Sequence, residues 1–384
     1  MDIERKNALA KIRWGIALIG VVGLSQFCTL ESSAQESSAQ ESSVQASSVK
    51  ESAGSLRETV NRSLPFIEAK GAAWIEDKKC LSCHQIPFMF WALNTADRHG
   101  LDVDQEKLDQ TNRWATEWIN LTNPKRREGS KESETLIQEH DAVAGLILGR
   151  PKNKDDDATS ENWLTNYRDH LIKAQEENGA WEPQGQLPLQ KRPLLETRQV
   201  ATMWAVLALH DYGEGFDHKS KLVTQSTTWL DDNFKEKSIE SVEWWAARML
   251  LAESLGNKQK SAEFKNHLIS LQQPDGGWGW LSNDPSDAFG TGVAIYALAR
   301  VKKINQATVN DDKAKDATSQ RKLAEHSSIE KALSFLQKTQ RKNGSWAVNG
   351  TKKSSRGRNS ATAVYWGTCW AVIGIMETLE PPAK

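Results

Sequence analysis

One spacing recurs three times in this chain and narrows the folds open to it: Leu, three residues, Gln, three residues, Gly, one residue, Trp. The copies are Leu171/Gln175/Gly179/Trp181, Leu268/Gln272/Gly276/Trp278 and Leu336/Gln340/Gly344/Trp346. In each, an amphipathic segment runs into Asn-Gly, Asp-Gly-Gly or Asn-Gly-Ser, the break expected where a helix stops at a left-handed glycine. After each break comes a stretch that is apolar nearly all round: Val200–Leu209, Thr291–Leu298 or Thr362–Ala371. Such a stretch reads as a buried helix, and the amphipathic segment before the break as a half-exposed one. Their alternation predicts two concentric helical layers.

Weaker copies of the pattern extend it to six hairpins. The outer helices are expected at about 58–77, 104–121, 160–176, 219–234, 258–272 and 326–340. The inner ones are expected at about 87–98, 137–149, 197–212, 241–255, 287–302 and 360–378. Six pairs close a ring, so the fold class is all-α, a single (α/α)6 toroid. The polar stretch Lys302–Gln320 reads as a surface insertion between the fifth and sixth hairpins.

The Gln-to-Trp spacing resembles the QW motif of triterpene cyclases, and the hairpin order is similar to the toroid of terpenoid cyclases and protein prenyltransferases, over roughly residues 56–380. The resemblance implies that the Gln amide stacks on the indole and bonds free backbone groups at the next helix start, tying hairpins together. Most of the 16 Trp, against 4 Tyr and 9 Phe, are then structural. It also implies a hydrophobic substrate and an acid in an Asp-x-Asp-Asp motif, yet no inner helix carries that motif. Asp155-Asp156-Asp157-Ala158-Thr159 precedes an outer helix and reads as a helix cap. The family's zinc ligands have no counterpart either: Asp287 lacks a following Cys, and Cys369 reads as a small buried apolar residue.

Lys6, Lys11 and Arg13 precede the apolar run Trp14–Leu24, the order of a secretory signal, with small residues at Ser32-Ser33-Ala34. Residues 1–34 are therefore expected to be a signal peptide or an uncut N-terminal membrane anchor, and the chain to be exported, periplasmic or on the outer face of a membrane. The pentapeptides ESSAQ, ESSAQ, ESSVQ and ASSVK make residues 35–55 a disordered linker, and residues 56–380 are expected to form the toroid. With 49 Lys+Arg against 50 Asp+Glu, no global field points to nucleic acid as a partner. Charged residues at 26% exclude a multi-span membrane protein.

Cys80-Leu81-Ser82-Cys83-His84 has the C-x-x-C-H spacing of covalent haem c and resembles the attachment site of c-type cytochromes. Two thiols one helical turn apart meet the vinyl groups while His84 reaches the iron. A short-loop disulfide and a zinc site with His84 are the alternatives. Inner-helix starts converge on one rim, bringing Glu139, His140, Asp141, Glu196, Arg198, Glu243, Asp284, Asp287 and Arg356 or Arg358 toward one opening. His140 is the candidate second iron ligand, and Glu139, Asp141, Asp284 and Asp287 are the candidate acids. The expected function is an exported toroid carrying one haem c at its mouth, with a redox partner or a hydrophobic small-molecule ligand. A terpenoid-cyclase or prenyltransferase-like enzyme and a non-catalytic binding toroid are the competing readings.

Overall fold

The computed structural model describes residues 30–81, 85–121, 140–151, 158–184, 187–213, 215–308 and 317–382. The Asp155–Asp157 cap and the signal-like segment up to Leu24 lie outside these residues. Two compact units divide the chain after Ser52, and the described part of the first, from Leu30, is helical throughout. Twelve α-helices are present among the described residues, with β-structure confined to isolated bridges. They are α1 Leu30–Lys78, α2 Ile86–Arg98, α3 Gln105–Thr116, α4 His140–Gly149, α5 Ala158–Ala174, α6 Leu194–Tyr212, α7 Lys221–Asp232, α8 Val242–Ser254, α9 Lys258–Ser270, α10 Ala288–Thr308, α11 Ala317–Thr339 and α12 Ala361–Thr378. No described helix is long and apolar enough to cross a membrane.

In the second unit the even-numbered helices form the inner ring. Contacts run α2 to α4, α4 to α6, α6 to α8, α8 to α10, α10 to α12, and α12 back to α2. This is the (α/α)6 toroid that the hairpin pattern predicts. Burial explains the ring: every residue from Ala363 to Glu377 of α12 is buried, as is every residue from Val242 to Glu253 of α8. Small residues let the backbones close up, since a Cβ on Gly292 of α10 would meet the Trp370 carbonyl carbon of α12 at 2.5 Å. Serines cap two inner helices, Ser241 Oγ accepting from Trp244 N–H at 3.4 Å and Ser360 Oγ from Ala363 N–H at 3.2 Å.

Two boundaries differ from expectation. α1 begins at Leu30 rather than near Leu56, because the pentapeptides contain neither Gly nor Pro and their Ala, Glu and Gln residues are good helix formers. The insertion between the fifth and sixth hairpins is shorter than read, since α10 continues to Thr308 and α11 starts at Ala317.

The repeated motif works as a three-way clamp. Each indole N–H donates to the carbonyl of its own motif leucine: Trp181 to Leu171 at 2.9 Å, Trp278 to Leu268 at 2.8 Å and Trp346 to Leu336 at 2.8 Å. Each Gln amide donates across to the next outer helix, Gln175 to Leu222 O (3.0 Å), Gln272 to Ser328 O (2.8 Å) and Gln340 to Thr59 O (2.8 Å). The acceptors are backbone carbonyls, those of Ser328 and Thr59 well inside their helices and that of Leu222 in the first turn, not the free N–H groups of a helix start. Gln340 therefore fastens the last hairpin to α1 and completes the outer ring. Gly344 makes the approach possible: it sits at φ 80°, and a Cβ there would run into the Arg62 carbonyl of α1.

Candidate functional site

A cavity of about 40 Å³ is lined by residues of five inner helices, α2, α4, α6, α8 and α12, and of the loop before α6. Phe88 and Trp91 of α2, Trp204 of α6, and Trp366 and Trp370 of α12 form its aromatic wall. Trp370 is the hub, with ring centroids 5.3 Å from Phe88, 5.4 Å from Trp91 and 5.6 Å from Trp204. Tyr296 of α10 packs edge-on to Trp91 at 5.3 Å without lining the cavity itself. The Trp370 indole N–H is buried and has no hydrogen-bond partner among the described residues, which leaves a donor available on a lining residue.

Asp141, the second residue of α4, lines this cavity together with Glu243 of α8 and Arg192 of the loop before α6. Gln184 N–H reaches Asp141 Oδ2 at 3.4 Å. Burial raises the Asp141 carboxyl above the usual Asp range and the Glu243 charge pushes the same way, while His140, the Gln184 N–H and Arg192 oppose them. Glu243 has a different environment. Its Oε2 pairs with Arg192 Nη1 at 2.9 Å and its Oε1 accepts from the Trp204 indole at 3.2 Å. Arg192 is fixed further by Thr197 Oγ1 and Ser241 Oγ, each at 3.1 Å, and lies over the Trp280 ring. Two carboxyl groups in contrasting surroundings across one cavity make a division of acid and base roles available.

The other sequence candidates are placed elsewhere. Asp287 precedes α10 and caps it, Oδ1 accepting from Gly290 N–H at 2.8 Å, and burial pushes its carboxyl up to about 7. Asp284 pairs with Arg356 and holds the Leu281–Asp284 turn. Neither lines the cavity. Glu196 bonds the Ser241 and Glu240 backbone N–H groups, and Arg198 pairs with Glu176 and Glu182. Glu139, Cys83 and His84 lie outside the described residues. Cys80 is buried, its carbonyl accepting from the Trp74 indole at 2.8 Å, and it does not line the cavity. His140 is buried with Nε2 against the Glu182 carbonyl. Among the described residues no group of three or more His, Cys, Asp or Glu is arranged to hold a metal ion, and of the expected His84/His140 pair only His140 lies within them.

Arg192 and the five aromatic wall residues were missed in the sequence. A weak signal existed for the latter, because Trp91, Trp204, Trp366 and Trp370 stand on inner helices, apart from the motif tryptophans that follow a glycine break. Arg192 sits in a loop without periodicity and carries no comparable mark.

No protein-family model matches this sequence, and a search of the curated proteins gives no match. Solved structures do match. A glycosyl hydrolase family 88 protein from Bacteroides vulgatus is 14% identical, with 85% of this chain and 98% of that chain covered and a TM-score of 0.52. A possible member of the GH105 family from Salmonella enterica is 12% identical, covering 82% and 93% of the two chains at a TM-score of 0.48. A possible GH105 member from Klebsiella pneumoniae is 14% identical, covering 75% and 80% at 0.44. Of these three, the structure with a TM-score above 0.5 is named a family 88 glycosyl hydrolase, and that likeness overturns the expectations of a haem c redox protein and of a terpenoid-cyclase or prenyltransferase-like enzyme. A ring of aromatics without a perturbed acid would have favoured the non-catalytic reading, and here burial raises the carboxyl of Asp141 beside the aromatic wall.

Proposed function

We propose that this toroid is a carbohydrate-active enzyme that hydrolyses a glycosidic bond in the aromatic cavity. One observation carries the reading: Asp141, a carboxyl made a better proton holder by burial, shares an indole-walled cavity with the ion-paired carboxylate of Glu243. The faces of tryptophan rings are apolar and electron-rich, and suit the C–H face of a pyranose. Protonated Asp141 donates its proton to the glycosidic oxygen as the C–O bond breaks, and Glu243 faces the positive charge that develops on the sugar ring. Water adds to the anomeric carbon and its proton returns to the carboxylate left on Asp141, so that atoms and charge balance. Likeness in fold to the Bacteroides vulgatus glycosyl hydrolase supports the same class.

Sugar release from a panel of oligosaccharides and aryl glycosides tests the proposal. Wild-type protein is expected to cleave at least one, and Asp141→Asn, with unchanged circular dichroism and Tm, to lose roughly 10²-fold or more in kcat. No release from any substrate by the wild type, or equal release by the variant, overturns it.

With this reading we propose export. Residues 1–34 serve as a signal peptide or anchor and 35–55 as a spacer, supported by the charged-then-apolar order of Lys6 to Leu24 and the polar pentapeptides. The toroid occupies 56–380.

A further inference from the structure

A second cavity of about 210 Å³ adjoins the first, and Leu187 and Trp366 line both. Its chemistry is different. Thr351, Ser354, Ser355 and Thr362 bring side-chain hydroxyls to its wall, and Gln190 lies among them. Gln190 is 4% exposed, its Nε2 is 3.4 Å from Thr351 Oγ1, and its Oε1 has no hydrogen-bond partner among the described residues. The chain around it is pinned, since Gln190 and Lys352 form an antiparallel bridge and Lys191 N–H donates to Thr351 O at 2.8 Å. A buried amide oxygen held in place without a donor is satisfied when a ligand brings a hydroxyl to it. No carboxylate lines this cavity, so a cationic ligand has no counter-charge there.

The two cavities share a wall at Leu187 and Trp366. Trp91, Trp204 and Trp370 of the first cavity's wall pack against one another, and Tyr296 packs against Trp91. At the other end of the ring Asp211 bridges Arg150 at 2.6 Å and Arg300 at 3.4 Å.

Resting on the hydrolase reading, we infer that the hydroxyl-lined cavity is a second sugar subsite, so that the substrate is an oligosaccharide of at least two units. The end unit stacks in the aromatic cavity, the next unit donates a hydroxyl to Gln190 Oε1, and the bond to be cleaved passes between Leu187 and Trp366.

Calorimetric titration of the full chain tests this separately from turnover. The probes are methyl monoglycosides, disaccharides and trisaccharides of glucose, galactose, mannose, N-acetylglucosamine and galacturonate. Affinity is expected to rise about tenfold or more from the monoglycoside to the disaccharide of the preferred sugar, and little beyond. Gln190→Leu should erase that step and leave the monoglycoside affinity unchanged, and Thr351→Val should reduce it. Equal affinity for one and two units, equal loss on both in Gln190→Leu, or no binding of any probe overturns the subsite. A length step abolished by Gln190→Leu, without hydrolysis of any glycoside, keeps the subsite and removes the hydrolase.

Discussion

Arg192 Nη1 lies 2.9 Å from Glu243 Oε2, with 1% of the Arg192 side chain and 6% of the Glu243 side chain exposed. The pair crosses from a loop to α8 and forms one side of the candidate site. Removing one partner strands the other as a buried charge. Arg192→Met is therefore expected to destabilise the fold by about 3–5 kcal/mol, and Arg192→Met/Glu243→Gln to recover most of that loss. Urea unfolding of the three proteins checks this, and a double variant no better than the single one refutes it.

Burial holds the Asp141 proton to higher pH than a free Asp would keep it. Glycoside cleavage that uses this proton persists up to the raised pKa and falls as pH climbs through it. Glu243→Gln removes a charge that raises Asp141 and frees Arg192 to lower it. The alkaline limb of the residual rate is expected to move to lower pH, as read from a pH profile of kcat.

Asp287 gives a separate pH signature on stability. Its folded pKa, about 7, exceeds the ordinary 3.8, so the folded state binds more protons than the unfolded state across that interval. Stability contributed by the protonated group is complete below about pH 4 and is lost as pH rises through about 7. Asp287→Asn keeps an acceptor for Gly290 N–H and is expected to flatten this fall. Tm measured from pH 4 to 8 on both proteins is the check.

The Gln clamps should each matter by a similar amount. Gln340→Ala deletes donations to Thr59 O and Ser63 Oγ and the acceptor of Arg62, and Gln272→Ala deletes those to Ser328 O and Gly276 O. A loss of about 1–3 kcal/mol is expected for either. Gly344→Ala should cost more than either, because the φ of 80° and the Arg62 carbonyl both oppose a Cβ. Chemical denaturation ranks the three.

The toroid was legible because inner helices must be apolar on every side and outer ones on one. The expected 360–378 and 241–255 stand beside the observed Ala361–Thr378 and Val242–Ser254. The start of α11 at Ala317 was not, since its first turns are polar and carry no 3.6-residue apolar rhythm. Asp141 was readable as an acid at the start of an inner helix. Whether it or Asp287 met the cavity was not, because a capping Asp and a cavity-lining Asp occupy equivalent sequence positions. The Cys80–His84 spacing drew the functional reading toward the first hairpin, though a local motif says nothing about where six distant helices leave a gap. The tryptophans hid the wall: one residue type serves both the clamps and the site, and only its position after a glycine or within a helix separates the roles.

Gln340 and Thr59 are 281 residues apart in the chain. During synthesis α1 leaves the ribosome long before its fastening partner exists, and the contact of α12 with α2 waits for the carboxy-terminal hairpin. Until that hairpin emerges, the seam beside α2 stays greasy and open to chaperones and proteases. Loss of the carboxy-terminal hairpin, however few residues it removes, leaves the circle unsealed at its origin.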